Sequence, residues 1–237
     1  MRFDHLMHWV PDLDQAIKEY GDLGFPVQRG GQHPGLGTHN AVWRSPPAYL
    51  ELIGVRDRFE AAAAMGAHWP RLEALLASGG GAGRFAVHVE NVQAVVDMLR
   101  SEGIDVSDPR PGSAKQEDGT TASWTAAAVQ GGPPWAPFFI NYGMSLAERT
   151  KFLGAAERAP QPWQIDRLVV ETPDPVSSAR WLSRVLGVTP EAGTTNVPLE
   201  GANVEFREGD SDRVTRVLIG GSNPPSGEVA GLSVDAG

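Results

Sequence analysis

With 237 residues, 41% hydrophobic and 21% charged, the chain has an ordinary globular composition and enough length to bury a core without staples. This excludes a disordered tail, a collagen-like chain or a membrane bundle. The chain has no cysteine, which removes disulfides, thiolate zinc sites, iron–sulfur clusters and cysteine nucleophiles, so any metal must be held by His, Asp or Glu. The net charge of −9, with 20 scattered basic residues, argues against a nucleic-acid surface.

The N-terminus, Met1-Arg2-Phe3-Asp4-His5, carries an acid and a histidine where a secretory signal needs an unbroken apolar stretch, and no apolar run approaches the roughly 18 residues that cross a bilayer. A cytoplasmic protein with no membrane partner is expected. From Asp4 the chain reads as a strand ending in Pro11-Asp12. Leu13, Ala16, Ile17 and Tyr20 then follow at helical spacing, with Asp12 and Gln15 as a capping box. Short strands come next, at 27–29, 39–44 and 49–55, separated by Gly30-Gly31, Pro34-Gly35 and Pro46-Pro47. An insert at 56–83 has helical content at 61–65 and 70–76 and ends in Ser78-Gly79-Gly80-Gly81.

The same pieces then recur. Arg84 to Asn91 repeats the first strand, and Asn91 caps a helix whose apolar face is Val92, Val95, Val96 and Leu99; strands at 123–129 and 138–142 follow. Residues 146–162 read as a helix or linker ending in Pro160-Gln161-Pro162. Beyond it, Asp166 to Asp174 aligns with Asp4 to Asp12, and Leu186-Gly187 with Leu23-Gly24. Pro175 suits the first position of a third helix, and strands at 196–199 and 203–207 follow it. The predicted architecture is α+β: paired βαβββ units in residues 1–145, a linker at 146–162, and a third βαβββ-like unit in 163–237.

A tandem βαβββ unit opening with an Asp-His-Leu strand and a Pro-Asp-Leu-Asp helix start resembles the vicinal-oxygen-chelate superfamily, which includes glyoxalase I, extradiol dioxygenases and fosfomycin- and bleomycin-resistance proteins. More narrowly, Gly30-Gly31-Gln32-His33-Pro34-Gly35-Leu36-Gly37-Thr38-His39-Asn40, followed by Tyr49-Leu50-Glu51-Leu52-Ile53, is similar to the glyoxalase-like domain group. The resemblance implies a cupped mixed sheet around a cavity, with a metal held by the first and last strands of each unit. Carried over, those positions are His5 and Glu51 in the first unit, Arg84 and Asn141 in the second, and Arg167 and Glu205 in the third. Arginine cannot ligate a metal, so the third pair reads as a salt bridge and the second as a departure from a four-ligand site.

His5 and Glu51 suit a divalent ion such as Zn, Mn, Ni or Fe. A third ligand is open among His33, His39 and His88; His88 shares strand parity with Arg84. The resemblance implies a metal-dependent lyase, isomerase or oxygenase acting on a small oxygenated, anionic molecule. In that reading His39 or His88 moves the proton, Arg84 orients the anionic end, and Trp9, His33, Asn40, Trp43 and Asn141 line the pocket. Trp124 is first of all apolar bulk. His8, of opposite parity to His5, faces the helix layer. The glycines at 30–37 are turn residues, because no Lys-Ser/Thr or helix pattern follows to make a phosphate cradle. The alternative is a metal-free small-molecule or antibiotic-binding protein, which expects Arg84 to pair with Glu51. A monomer or a homodimer is compatible with paired units in one chain.

Overall fold

A computed structural model of the chain describes all residues except 117–118, 146, 149–161 and 190–192. The expected helix or linker at 146–162 falls almost wholly outside the described residues. The first unit runs β1 (Arg2–Trp9), α1 (Leu13–Leu23), β2 (Gln28–His33), β3 (Thr38–Ser45) and β4 (Ala48–Val55). Two insert helices follow, α2 (Arg58–Met65) and α3 (Trp69–Ala77), joined by a 3-10 turn at Gly66–His68. The second unit is β5 (Gly81–His88), α4 (Val92–Ser101), β6 (Arg110–Gln116), β7 (Thr121–Ala128) and β8 (Phe138–Asn141). The C-terminal part comprises β9 (Trp163–Thr172), α5 (Pro175–Leu186), β10 (Asn196–Val197), β11 (Asn203–Glu208), β12 (Arg213–Gly221), β13 (Gly227–Val229) and β14 (Leu232–Ala236). Among the described residues no helix is long and apolar enough to cross a membrane.

The helices start where side-chain caps allow. Asp12 accepts from the backbone N–H of Asp14 and Gln15, Asn91 from Ala94, and Asp174 from Ser177, each satisfying donors that the first turn leaves unpaired. Gln15 does not complete a capping box; its amide donates to Glu19 instead. Gly24 and Gly187 end α1 and α5 in the left-handed region, which costs glycine little.

The sheet of the first two units closes on itself, in the order β1-β4-β3-β2-β6-β7-β8-β5, where a cup was expected. Closure is made by antiparallel β1–β5 and by a short β2–β6 contact at Gly31↔Gln116 and Gln32↔Lys115. The C-terminal strands form an open sheet, β10-β11-β9-β12-β14-β13, and the last three of these strands were not foreseen. Its pairing repeats that of the barrel. Parallel β9–β11 corresponds to β1–β4, antiparallel β9–β12 to β1–β5, and parallel β12–β14 to β5–β8. The outer faces of barrel and sheet share one core in which Phe3, Leu6, Phe25, Phe85, Leu168, Val170 and Phe206 are all buried.

Candidate functional site

An eight-stranded barrel is just wide enough for its own side chains to fill, but this one keeps a cavity of about 480 Å³. The reason lies in β6 and β7, whose inward positions carry Ala114, Ala122, Ala126 and Ala128. Against this small-residue wall stand Met7, Trp9, Trp124, Phe138 and Ile140, with Leu36 and Met65 at the insert side.

Period-2 alternation points His5, Met7 and Trp9 of β1 and Tyr49, Glu51 and Ile53 of β4 into this space. His5 Nε2 lies 3.5 Å from Glu51 Oε2, and His33 Nε2, from the end of β2, lies 3.8 Å from Glu51 Oε1. All three groups are buried, and each is braced from behind. His5 Nδ1 donates to Asp4 Oδ1 at 2.5 Å, His33 Nδ1 meets Thr38 Oγ1 at 2.8 Å, and Glu51 Oε1 accepts from Asn40 Nδ2 at 2.6 Å. Asp4, fully buried, also accepts from the Tyr142 hydroxyl, which meets the Tyr49 hydroxyl at 3.0 Å. The Tyr49 ring stacks on His5 with centroids 4.5 Å apart.

These contacts explain the glycine-rich segment. Asn40 Oδ1 takes the Gly31 N–H at 2.7 Å while its amide holds Glu51. A Cβ on Gly30 would lie 2.0 Å from Asn40 Oδ1, so only glycine lets that side chain cross. Gly37, in the left-handed region, abuts the backbone of Asp57 and Ala61, fitting the turn against α2. Gly35 and Gly37 are the turn residues expected, both with positive φ in the turn at 34–37, whereas Gly30 and Gly31 lie in β2 and make room for the Asn40 brace on Glu51.

Of the residues singled out in the sequence, His5, Glu51, His33, Asn40, Trp9 and Arg84 line the cavity together. Four do not. Trp43 is buried in the shared core against Phe25, and His39, on the same side of β3, lies over Gly54 and Leu13; both have the opposite parity to Asn40. Asn141 turns outward to donate to the carbonyls of Val89 and Glu90. The register Ala86↔Phe138 puts Phe138, not Asn141, in the second unit at the place of Glu51. His88 is buried but is not among the residues lining the cavity; parity gives inward or outward and not depth. His8 faces the helix layer as expected, held by Tyr20 and the Ala230 carbonyl. Burial, and after it the charges of Arg29 and Arg56, lower the pKa of His39.

Arg84 donates to the Val129 carbonyl at 3.0 Å and does not pair with Glu51. Burial, then the nearby charge of Arg71, pushes its pKa down. Arg167 does pair with Glu205, at 2.8 Å. Sequence reading missed Asp4, Thr38, Tyr49 and Tyr142 as site residues. The signal for Tyr49 was its parity with Glu51; Tyr142 had none, because placing Asn141 inward turns its neighbour outward.

Two imidazoles and a carboxylate, each oriented by a second group, match in kind a divalent-metal donor set. A shared ion with bonds of 2.0–2.2 Å sets its ligand atoms roughly 3.0–3.5 Å apart, near the separations found at Glu51. Among the described residues, no group of three His, Asp or Glu side chains is placed so as to hold a metal ion.

A family model described as a glyoxalase-like domain matches residues 3–186. Among solved structures, a hypothetical protein from Staphylococcus aureus superposes with a TM-score of 0.85 at 20% identity, over 98% of this chain and 97% of that one. Methylmalonyl-CoA epimerase from Mycobacterium tuberculosis gives a TM-score of 0.46 at 22% identity, over 62% and 91%. A variant of the Streptomyces coelicolor enzyme of that name, in complex with 2-nitronate-propionyl-CoA, gives 0.45 at 18%, over 61% and 99%. No curated protein matches the sequence significantly.

Proposed function

Because the chain belongs to the glyoxalase-like domain family, we propose that it is an enzyme whose barrel cavity takes a small oxygenated molecule and whose His5, His33 and Glu51 hold a divalent ion, Zn, Mn, Ni or Fe. The observation that carries this reading is the bracing. Asp4, Thr38 and Asn40 fix the far side of each donor and turn both Nε2 atoms toward one carboxylate. Such second contacts set the tautomer and raise ligand basicity.

When bound, the ion supplies Lewis acidity, polarising a substrate oxygen and stabilising negative charge on it. The chain's own groups do the rest. Asp4 keeps the proton of His5 on Nδ1 and so leaves Nε2 with its lone pair. Asn40 occupies one lobe of Glu51 Oε1 and prevents the carboxylate from swinging away. The Tyr49 hydroxyl, one hydrogen bond from Tyr142 and two from buried Asp4, is the cavity-facing group that holds a substrate oxygen or passes it a proton. That role had been expected of His39 or His88, which do not line the cavity. The apolar walls exclude water and strengthen each of these interactions. The reaction class is one in which charge develops on substrate oxygen: lyase, isomerase or ring-opening oxygenase chemistry.

Elemental analysis of protein purified without a tag or chelator tests the proposal. Near-stoichiometric transition metal, lost in His5→Ala and Glu51→Gln, is the expected result. Protein that takes up no Zn, Mn, Ni or Fe on incubation would overturn it in favour of a metal-free binding protein.

A further inference from the structure

One charged position passes through the tandem copies in fixed register. In β9 and β11, Arg167 stands opposite Asn203 and its guanidinium meets Glu205, two residues on, at 2.8 Å. In β12 and β14, Arg216 stands opposite Ser233 and meets Asp235, again two residues on, at 3.2 Å. In β1 and β4, His5 stands opposite Tyr49, and Glu51 is two residues on.

The second unit breaks the series. Arg216 lies across from Val169, two residues after Arg167. Arg84 follows the Leu6–Phe85 pair and so lies across from Met7, two residues after His5. Arg84 and Arg216 are therefore equivalent, and the register Ala86↔Phe138 places Phe138 where Asp235 stands in the other copy. Arg84 keeps its cation and lacks the acid; its hydrogen bond goes to a neutral carbonyl. Arg84 lines the mostly apolar cavity, as do Arg110 and Ser107. A half-buried cation among apolar walls needs an anion.

We infer that the ligand supplies the missing acid: the substrate is a largely apolar carboxylic acid whose carboxylate lies on Arg84 and whose body lies between Trp9, Trp124, Phe138 and Ile140. Two strand residues and one interstrand step put Arg84 Cα roughly 8 Å from His5 Cα. The acid and the reacting oxygens therefore sit at opposite ends of a ring-sized apolar body. A cavity of about 480 Å³ has the capacity for such a molecule. The inference rests on the proposed use of this cavity and does not depend on a bound metal.

The test uses the full chain, with chelator present, titrated with 4-phenylbutanoate and with its neutral isostere 4-phenylbutanamide, read by calorimetry and by the fluorescence of Trp9 and Trp124. Wild type should prefer the acid by about 10- to 100-fold, the range for a desolvated charge-assisted pair. Arg84→Gln should abolish that preference by weakening the acid while the amide binds as before, which also shows that the variant is folded. Phe138→Asp, which supplies the acid in the chain, should likewise lose the preference. Equal affinities in wild type, a preference retained in Arg84→Gln, or no binding of either compound to wild type would each overturn the inference. Metal uptake by Arg84→Gln, measured in parallel, stays at the wild-type level and reports separately on the metal proposal.

Discussion

The buried imidazole of His8 gives the stability of this fold a calculable acid limb. It sits between α1 and the C-terminal sheet, its Nε2–H donating to the Ala230 carbonyl and its Nδ1 accepting from the Tyr20 hydroxyl, both at 3.0 Å. Burial lowers its pKa from 6.5 to about 4, against a smaller opposing contribution from the Ala230 bond. A base with a depressed folded pKa binds its proton more readily when unfolded, so its contribution is intact above pH 6.5 and is lost as pH falls from 6.5 to 4. Each pKa unit is worth 1.36 kcal/mol, so this one side chain costs about 2 kcal/mol between pH 7 and 5 and about 3 kcal/mol by pH 4. Urea unfolding at pH 7, 6, 5 and 4, for wild type and for His8→Gln, isolates the effect, because other titrating groups contribute to both. The variant starts less stable at pH 7, and the gap should close by about 2 kcal/mol at pH 5. Parallel pH profiles would refute the assignment of a neutral, desolvated imidazole at this position.

Two further outcomes follow from named contacts. Asn40→Ala removes the amide that fixes Glu51 and should weaken Zn or Mn binding by about 10- to 100-fold, as losses of such supporting contacts do, in a calorimetric titration; unchanged affinity would mean that Asn40 does not position the carboxylate. Trp43→Ala should cost about 3–5 kcal/mol of unfolding free energy, the range for deleting a buried aromatic, with unaltered affinity for 4-phenylbutanoate; a specific loss of binding would return Trp43 to the site.

The repeat was legible because each unit carries its own local signals. The caps at Asp12, Asn91 and Asp174 lie before amphipathic stretches, and the structure starts helices at all three. The Arg167–Glu205 pair was legible too, because a basic and an acidic residue replace His and Glu at aligned positions. The sequence could not show that β2 and β6 meet, since closure depends on a long-range contact of two residue pairs. Strands β12 to β14 were missed because no helix announces that copy, and two of its three strands, Gly227–Val229 and Leu232–Ala236, are short. For Trp43 and His39 the information was present: Asn40 and His39 are neighbours on one strand and cannot both face inward. Asn141 failed through register, which only the Ala86↔Phe138 pairing fixes. The third donor stayed open between three histidines because the choice of His33 depends on where a hairpin end returns to the barrel wall.

The C-terminal sheet repeats the barrel's pairing without closing, and among the described residues it therefore has two margins with no further strand, which the barrel lacks. An unpaired margin invites another chain to add on, the usual first step toward fibrous aggregation. Here the outermost strands are only Asn196–Val197 and Gly227–Val229. Behind the first, the part of β11 left uncovered carries Arg207 and Glu208. Short and charged in this way, the open copy offers little backbone for a neighbouring molecule to extend. A chain so rich in strands can thus resist edge-to-edge association, with the protection placed at the two margins where its symmetry is incomplete.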